Sequence, residues 1–359
     1  MSDQTQIHDA VASIESPLFV GRTLGELGLV KAVSKKLTGK ARVELLLPSP
    51  PPESLDDRLR EALSPHVSGA DIDIELMDDD EVLSWMNELK ERAGPPIGEP
   101  GSATRTIAVS SGKGGVGKSS ISANLAVALA RSGHKVGIVD GDIWGFSIPA
   151  MLGIQHPPVM VGEMIVPPVA HRVKVVSMDY FVPDDKAIIW RGPMLHKAIE
   201  QFLKDVFWDA LDYLVVDMPP GTGDIAISMS QFLPRAQVLL ATTPQPTAQR
   251  VARRAALMAR EVDQEVIGVV ENMSWFTGDD GKRYELFGAG GGAALADEVG
   301  VDLMAQIPLL PAMGRGADEG RPVAVAAPGS EAATAFDRLA EAVVEKRPRV
   351  RTNPALVIK

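Results

Sequence analysis

One stretch limits what this chain can fold into more than any other. It is the run Gly112-Lys113-Gly114-Gly115-Val116-Gly117-Lys118-Ser119, set between an apolar strand pattern at Thr106 to Ser110 and a helical pattern from Ser119 to Arg131. Glycines at this spacing let successive backbone N–H groups converge on one point, and a helix that starts there adds the positive end of its dipole. The segment matches the phosphate-binding loop pattern, in the strand-to-helix context that the pattern requires. Gly112, Lys113, Gly114, Gly115, Val116, Gly117, Lys118, Ser119 and Ser120 are therefore the candidate nucleotide contacts. Lys118 is placed to reach the β- and γ-phosphates of ATP, and Ser119 to offer its hydroxyl to Mg²⁺.

The rest of the chain must supply a sheet around that loop. Apolar runs at Lys135 to Asp140, Val173 to Met178, Tyr213 to Asp217, Val238 to Thr242, Val266 to Glu271 and Leu303 to Ile307 read as strands. Helical patterns at Met194 to Phe207, Thr247 to Val262, Ala293 to Val299 and Glu331 to Lys346 separate most of them. Continuous apolar strands alternating with helices predict an α/β fold, a P-loop NTPase with a mainly parallel sheet flanked by helices. Ligands in such sheets sit beyond the carboxyl ends of the strands, where the motifs fall.

Upstream, Glu91 to Ser102 is rich in Pro, Gly and Ser and reads as a linker. It divides a small α+β domain at residues 1–92 from an ATPase domain at residues 105–347, with a linker at 93–104 and a tail at 348–359. In the small domain, strands are expected at Leu29 to Val33, Ala41 to Leu47 and Asp71 to Met77. Helices are expected at Ser54 to Leu63, with Ser54 as N-cap, and around Glu81 to Lys90.

Three acids join the loop. Tyr213-Leu214-Val215-Val216-Asp217 is an apolar strand ending in a carboxylate, and Asp217 is placed to accept hydrogen bonds from water on Mg²⁺. Asp140-Gly141-Asp142 ends another strand, and two carboxylates there would orient attacking water and help to hold hydrated Mg²⁺. Met218-Pro219-Pro220-Gly221-Thr222-Gly223-Asp224 forms a shaped loop after Asp217. Ordering of such a loop by ATP is the logic of a nucleotide switch.

The early lysine, Lys113, resembles the mark of the deviant Walker A ATPases, the group of MinD, ParA and Mrp. That resemblance implies a homodimer in which Lys113 reaches the partner's phosphates, as an arginine finger does. It also implies that Asp142 positions the water, with Asp140 as support near the metal. Further segments narrow the resemblance: Trp190-Arg191-Gly192-Pro193-Met194, the Pro-Pro-Gly-Thr-Gly-Asp loop, Asp142-Ile143-Trp144-Gly145-Phe146 and Gly268-Val269-Val270-Glu271-Asn272-Met273-Ser274. With them, residues 105 to 345 closely resemble the Mrp/ApbC family of iron–sulfur cluster carrier ATPases. The resemblance implies cluster loading or transfer to client apoproteins, and gives Asn272 the role of hydrogen-bonding adenine. Leu24-Gly25-Glu26-Leu27-Gly28-Leu29-Val30 makes the small domain resemble one that also occurs alone among iron–sulfur assembly factors.

The chain departs from that family at one chemically decisive point. It has no cysteine. Where the family pattern carries a Cys-x-x-Cys pair, this chain reads Trp275-Phe276-Thr277-Gly278-Asp279-Asp280-Gly281-Lys282-Arg283-Tyr284, so thiolate ligation of a cluster is excluded for the chain alone. Asp279 and Asp280 read as a solvated turn, and the six histidines are scattered without ligand spacing. An ATP-gated adaptor that carries no cluster, and a positioning ATPase like MinD or ParA, stand as the alternatives. The net charge of −11 argues against nucleic acid as a partner. No apolar run of membrane-spanning length occurs, no signal-peptide pattern opens the chain, and a cytoplasmic protein is expected.

Overall fold

Alternation in Ala41-Arg42-Val43-Glu44-Leu45 turns every second side chain to one face, and Ala41, Val43, Leu45 and Leu47 are buried. That face is the centre of the first of two units in the computed structural model, which describes residues 3–142, 145, 147–181, 192–219 and 224–348. The first unit is Met1–Gly94 joined by Pro158–Val166 and Asp205–Asp209, and the remainder of the chain forms the second.

In the first unit the order is α1 (Asp3–Ala12), β1 (Val30–Lys35), β2 (Ala41–Leu47), α2 (Ser54–Leu63), β3 (Ala70–Leu76) and α3 (Asp79–Ala93). Strand β2 is central, antiparallel to β1 and parallel to β3. The N-cap expected at Ser54 is not found. Glu53 takes that place, already helical at φ −53° and ψ −33°, and the Leu55 amide bonds the Pro52 carbonyl at 3.0 Å, so the turn runs straight into the helix. Helix α3 has the stronger start, a reciprocal capping box. The Glu81 amide donates to Asp78 and the Asp78 amide to the Glu81 carboxylate, at 2.8 and 3.0 Å.

The two later segments complete this unit's core. Val159–Val161 and Met164–Val166 pair as a hairpin, and Ile165 exchanges backbone hydrogen bonds with Asp205 and Phe207 at 2.9 and 2.8 Å. This is why the helix expected to reach Phe207 stops at Lys204: the next residues are drawn out as an extended partner of the hairpin. Phe207 meets Phe19 edge-on at 5.2 Å between ring centres, and Phe19 meets Trp85 in the same way at 5.4 Å. The Trp85 indole donates to the Leu27 carbonyl at 2.7 Å, and Arg22 forms a two-pronged ion pair with Asp209.

The second unit is built on an eight-stranded sheet. Its principal elements are β4 (Arg105–Ser111), α4 (Lys118–Arg131), β5 (Val136–Asp140), β6 (Val173–Ser177), α5 (Gly192–Lys204), β7 (Tyr213–Asp217), α6 (Asp224–Phe232), β8 (Gln237–Thr242), α7 (Pro246–Glu261), β9 (Glu265–Asn272), α8 (Gly291–Val299), β10 (Asp302–Ile307) and α9 (Glu331–Glu345). Seven strands are parallel in the order β10-β9-β8-β4-β7-β5-β6, and the two-residue strand Val169–Ala170 closes the β6 edge antiparallel. Every residue of β5, β7 and β8 is buried, as a sheet covered on both faces requires. The helix α4 is buried from Ile121 to Ala130, enclosed in one core with the sheet and with Phe336, Leu339 and Val343 of α9. Its many alanines allow that close approach. Register brings Asp217 beside Val109 on one side and Asp140 on the other, so two acids and the end of β4 share the same edge. Among the described residues no helix is long and apolar enough to cross a membrane.

Phe207 tests whether the distant segment helps to hold the first unit's core, where it is only 6% exposed. Phe207→Ala is expected to destabilise that unit by about 3 kcal/mol, from lost burial plus the cavity left behind. Urea unfolding of the two proteins checks this, and an unchanged midpoint contradicts it.

Candidate functional site

The loop between β4 and α4 is shaped by two close approaches. Gly117 is left-handed at φ 81°, and a Cβ there would lie 2.1 Å from the Asn272 amide nitrogen. Gly112 has no such φ, yet its Cβ would lie 2.0 Å from the Val251 backbone in α7. One glycine is needed for conformation and contact, the other for contact alone. The hydroxyl of Ser111 donates to the Lys113 carbonyl at 3.1 Å, bracing the first turn of the loop.

Lys118 is the first residue of α4, and its side chain is 6% exposed. Its ammonium donates to Asp217 Oδ2 at 2.7 Å and lies 3.8 Å from Asp142 Oδ2. The Ser119 hydroxyl donates to the same Asp217 oxygen at 2.6 Å. The other oxygen, Oδ1, accepts from Ser122 at 2.6 Å. Asp217 is wholly buried, so all three donors compensate a charge taken out of water. The structure thus brings Lys118, Ser119, Asp142 and Asp217 into one cluster at the N-terminus of α4. Ser119 and Asp217 are oxygen donors of the kind that hold hydrated Mg²⁺, with substrate phosphate completing the coordination.

Asp140 lies next to this cluster, paired in register with Asp217. Its carboxylate accepts from the amides of Asp142, Ser147 and Ile148 at 3.2, 3.1 and 3.2 Å, and from the Ser177 hydroxyl at 3.2 Å. It holds the turn that carries Asp142. Burial pushes its pKa up to about 7, reinforced by the neighbouring Asp217 charge, and the amide hydrogen bonds pull the other way.

Lys113 lies on the same loop but points elsewhere, with its ammonium 3.5 Å from the Gln245 side-chain oxygen at the start of α7. Asn272, at the end of β9, donates its side-chain amide to the Val116 carbonyl at 3.0 Å. It therefore ties the loop to a strand two places along the sheet. Beside it, the buried Glu271 accepts from the Gly292 amide and from Gln306, fixing the start of α8. Trp190, Arg191, Ile143, Trp144, Phe146 and the segment 220–223 lie outside the described residues.

The stretch after Asn272 is a small hairpin of Phe276–Thr277 with Arg283–Tyr284. Glu331 of α9 gathers it by accepting from the Trp275 indole, the Thr277 hydroxyl and Arg283, at 3.2, 3.0 and 3.2 Å. Those bonds, that from Trp275 first, hold its carboxyl below the usual range. Arg283 lies over the Trp275 ring at 4.2 Å. Asp280 closes the turn, accepting from the Lys282 amide and the Tyr284 hydroxyl at 3.1 and 2.9 Å. Among the described residues no group of three or more His, Asp or Glu could hold a metal ion.

Two contributors to the site escape the motif. Ser122 and Gln245 are ordinary residues in sequence, and only contact reveals them. A polar residue four places after Lys118, in a helix otherwise rich in Ala, Leu and Val, is the one available signal for Ser122.

Comparison with known proteins agrees with this geometry. Residues 102–344 match the family model of the ParA type described as NUBPL iron-transfer P-loop NTPase. The iron–sulfur cluster carrier protein of Mycobacterium tuberculosis is 41% identical over 340 residues, covering 91% of this chain and 89% of that protein. The protein of the same name from Mycobacterium leprae is 39% identical, covering 97% and 94%. Among solved structures, a nucleotide-binding protein from Archaeoglobus fulgidus in complex with ADP superimposes with a TM-score of 0.55 at 35% identity, covering 66% of this chain and 91% of that one. The septum site-determining protein MinD from Pyrococcus horikoshii, complexed with Mg-ADP, gives 0.53 at 25% identity, covering 67% and 96%. The fold, the loop and these relatives together make this chain a nucleotide-hydrolysing member of the iron-transfer P-loop NTPase family.

Proposed function

We propose that this chain is an Mg²⁺-dependent ATPase that works as a homodimer and serves iron–sulfur cluster transfer with thiolates that its partners supply. The observation that carries the reading is the knot of Lys118, Ser119 and Asp217 at the N-terminus of α4. Lys118 and Ser119 are the groups a nucleotide phosphate and its metal ion call for, and both are held on one buried carboxylate. Mg²⁺, when bound, would offset the charge of the nucleotide phosphates. Ser119 would hold it directly and Asp217 through its water. Asp142, 3.8 Å from the Lys118 ammonium, is the group assigned to orient the attacking water. Asp140 supports it through the backbone bonds to the turn. Lys113 is the residue assigned to act across a dimer.

The family name of the relatives supports iron–sulfur chemistry, and the residues here do not fit direct ligation of a cluster. There is no cysteine, and the hairpin at 275–284 is closed by Glu331 and Asp280 rather than open to a metal. The cluster, as cargo, is therefore held by cysteines of an assembly protein or a client apoprotein. An adaptor that recruits such proteins without contact to the cluster is the second reading, favoured by the same hairpin. The protein needs neither a membrane nor nucleic acid for either role, and a cytoplasmic setting suits both.

Lys118→Ala is expected to weaken ATP binding by roughly 10- to 100-fold, the effect of losing a charge-assisted contact to phosphate. Calorimetric titration checks it, and unchanged affinity removes the phosphate-site assignment. Lys113→Ala should leave ATP affinity near that of the parent while lowering turnover by about a thousandfold, as loss of a trans-acting cation does. Parental turnover would refute its role across a dimer. Anaerobic reconstitution with iron and sulfide should leave the isolated protein without cluster absorbance, and addition of a cysteine-bearing assembly protein with ATP should produce it in the complex. A stable cluster on the isolated protein contradicts partner-supplied ligation, and ATP-dependent complex formation without any cluster selects the adaptor.

A further inference from the structure

Ser122 stands one helical turn beyond Lys118 and is wholly buried in the interior of α4. Its hydroxyl has one proton and two acceptors within reach, the Lys118 carbonyl at 3.1 Å and Asp217 Oδ1 at 2.6 Å. In a helix the carbonyl four residues back is already the partner of the residue's own amide. The carboxylate is charged, nearer, and takes the shorter and stronger bond. The proton belongs to Asp217.

We propose that Ser122 is a positioning residue for the metal–nucleotide site, fixing Asp217 through Oδ1 so that Oδ2 alone faces Lys118 and Ser119. This rests on the reading of Asp217 as the acceptor for Mg²⁺-bound water. The two oxygens of Asp217 have donors of different kinds. Both donors on Oδ2 belong to the phosphate-binding machinery and have other work when a nucleotide is bound. The donor on Oδ1 does not, because Ser122 lies inside the helix and away from the loop. A carboxylate that gives up both Oδ2 partners would otherwise turn about its terminal torsion, which is broad and shallow. Ser122 removes that freedom and keeps one oxygen aimed at the metal position.

The test is a titration of the full-length protein with a fluorescent ATP analogue, first without metal and then with increasing Mg²⁺. Ser122→Ala is expected to keep metal-free nucleotide affinity within about twofold of the parent, and to raise the Mg²⁺ concentration for half-maximal tightening about tenfold, as loss of one hydrogen bond to a charged group would. Ser122→Thr, which retains the hydroxyl, should lie near the parent. Alanine is a good helix former, and thermal unfolding of each variant checks that the fold is kept. If Ser122→Ala has the parent's Mg²⁺ dependence, the proposal is overturned. It is also overturned if metal-free affinity falls as much as Mg²⁺ affinity, since that marks a general structural role. A parent protein that binds the analogue with no response to Mg²⁺ removes the reading of Asp217 itself, and this proposal with it.

Discussion

Burial of the Asp217 carboxylate sets the terms for everything around the site. A carboxylate at the end of a fully buried strand must be compensated, and the chain does so with Lys118, Ser119 and Ser122, all from the first turns of α4. Such a buried ion pair is a poor source of stability, because desolvating both charges costs about as much as their attraction returns. Its value is positional. It fixes the start of α4 against the end of β7, and it holds in one place the two groups that phosphate and metal would draw away. The parallel register matters for the same reason, since it sets Asp140 beside Asp217 and raises the electrostatic cost of charge on Asp140.

A second consequence is that the site is assembled from strands far apart in sequence, each contributing its carboxyl end. β4 supplies the loop, β5 the turn with Asp142, β7 Asp217 and β9 Asn272. Helix α7 presses on Gly112 closely enough to exclude any side chain, and Asn272 does the same at Gly117. The loop is thus moulded by its neighbours as much as by its own glycines. Where the family pattern would bring thiolates, the chain instead uses Glu331, Arg283, Trp275 and Asp280 to close a hairpin. On the proposed reading, iron chemistry lies with whatever the chain binds.

Much of this architecture is legible in the residue pattern. The parallel strands lie within a residue of the apolar runs that foretell them, because a strand covered on both faces must be apolar throughout. The helix from Lys118 follows from the glycine-to-lysine junction. The departures have local causes. Ser54 has the composition of an N-cap, but the proline turn ahead of it already feeds the helix. The apolar pattern carries the expected helix past Lys204 because Val206 and Phe207 look like more of the same face. Their use is to pair with an earlier hairpin and fill the core beyond it.

By itself the sequence determined the class of fold, the place of the phosphate loop and the absence of any thiolate chemistry, because these depend on residue type and spacing within short windows. The tertiary structure alone decided which groups share a charge: that Lys118 rests on Asp217, that Ser122 holds the other oxygen, that Asn272 braces the loop, and that Asp140 binds backbone amides. It also decided that Phe207 completes the core around Phe19 and Trp85. Each of these is a contact between residues brought together by strand order and register, and none is written in the local pattern of the chain.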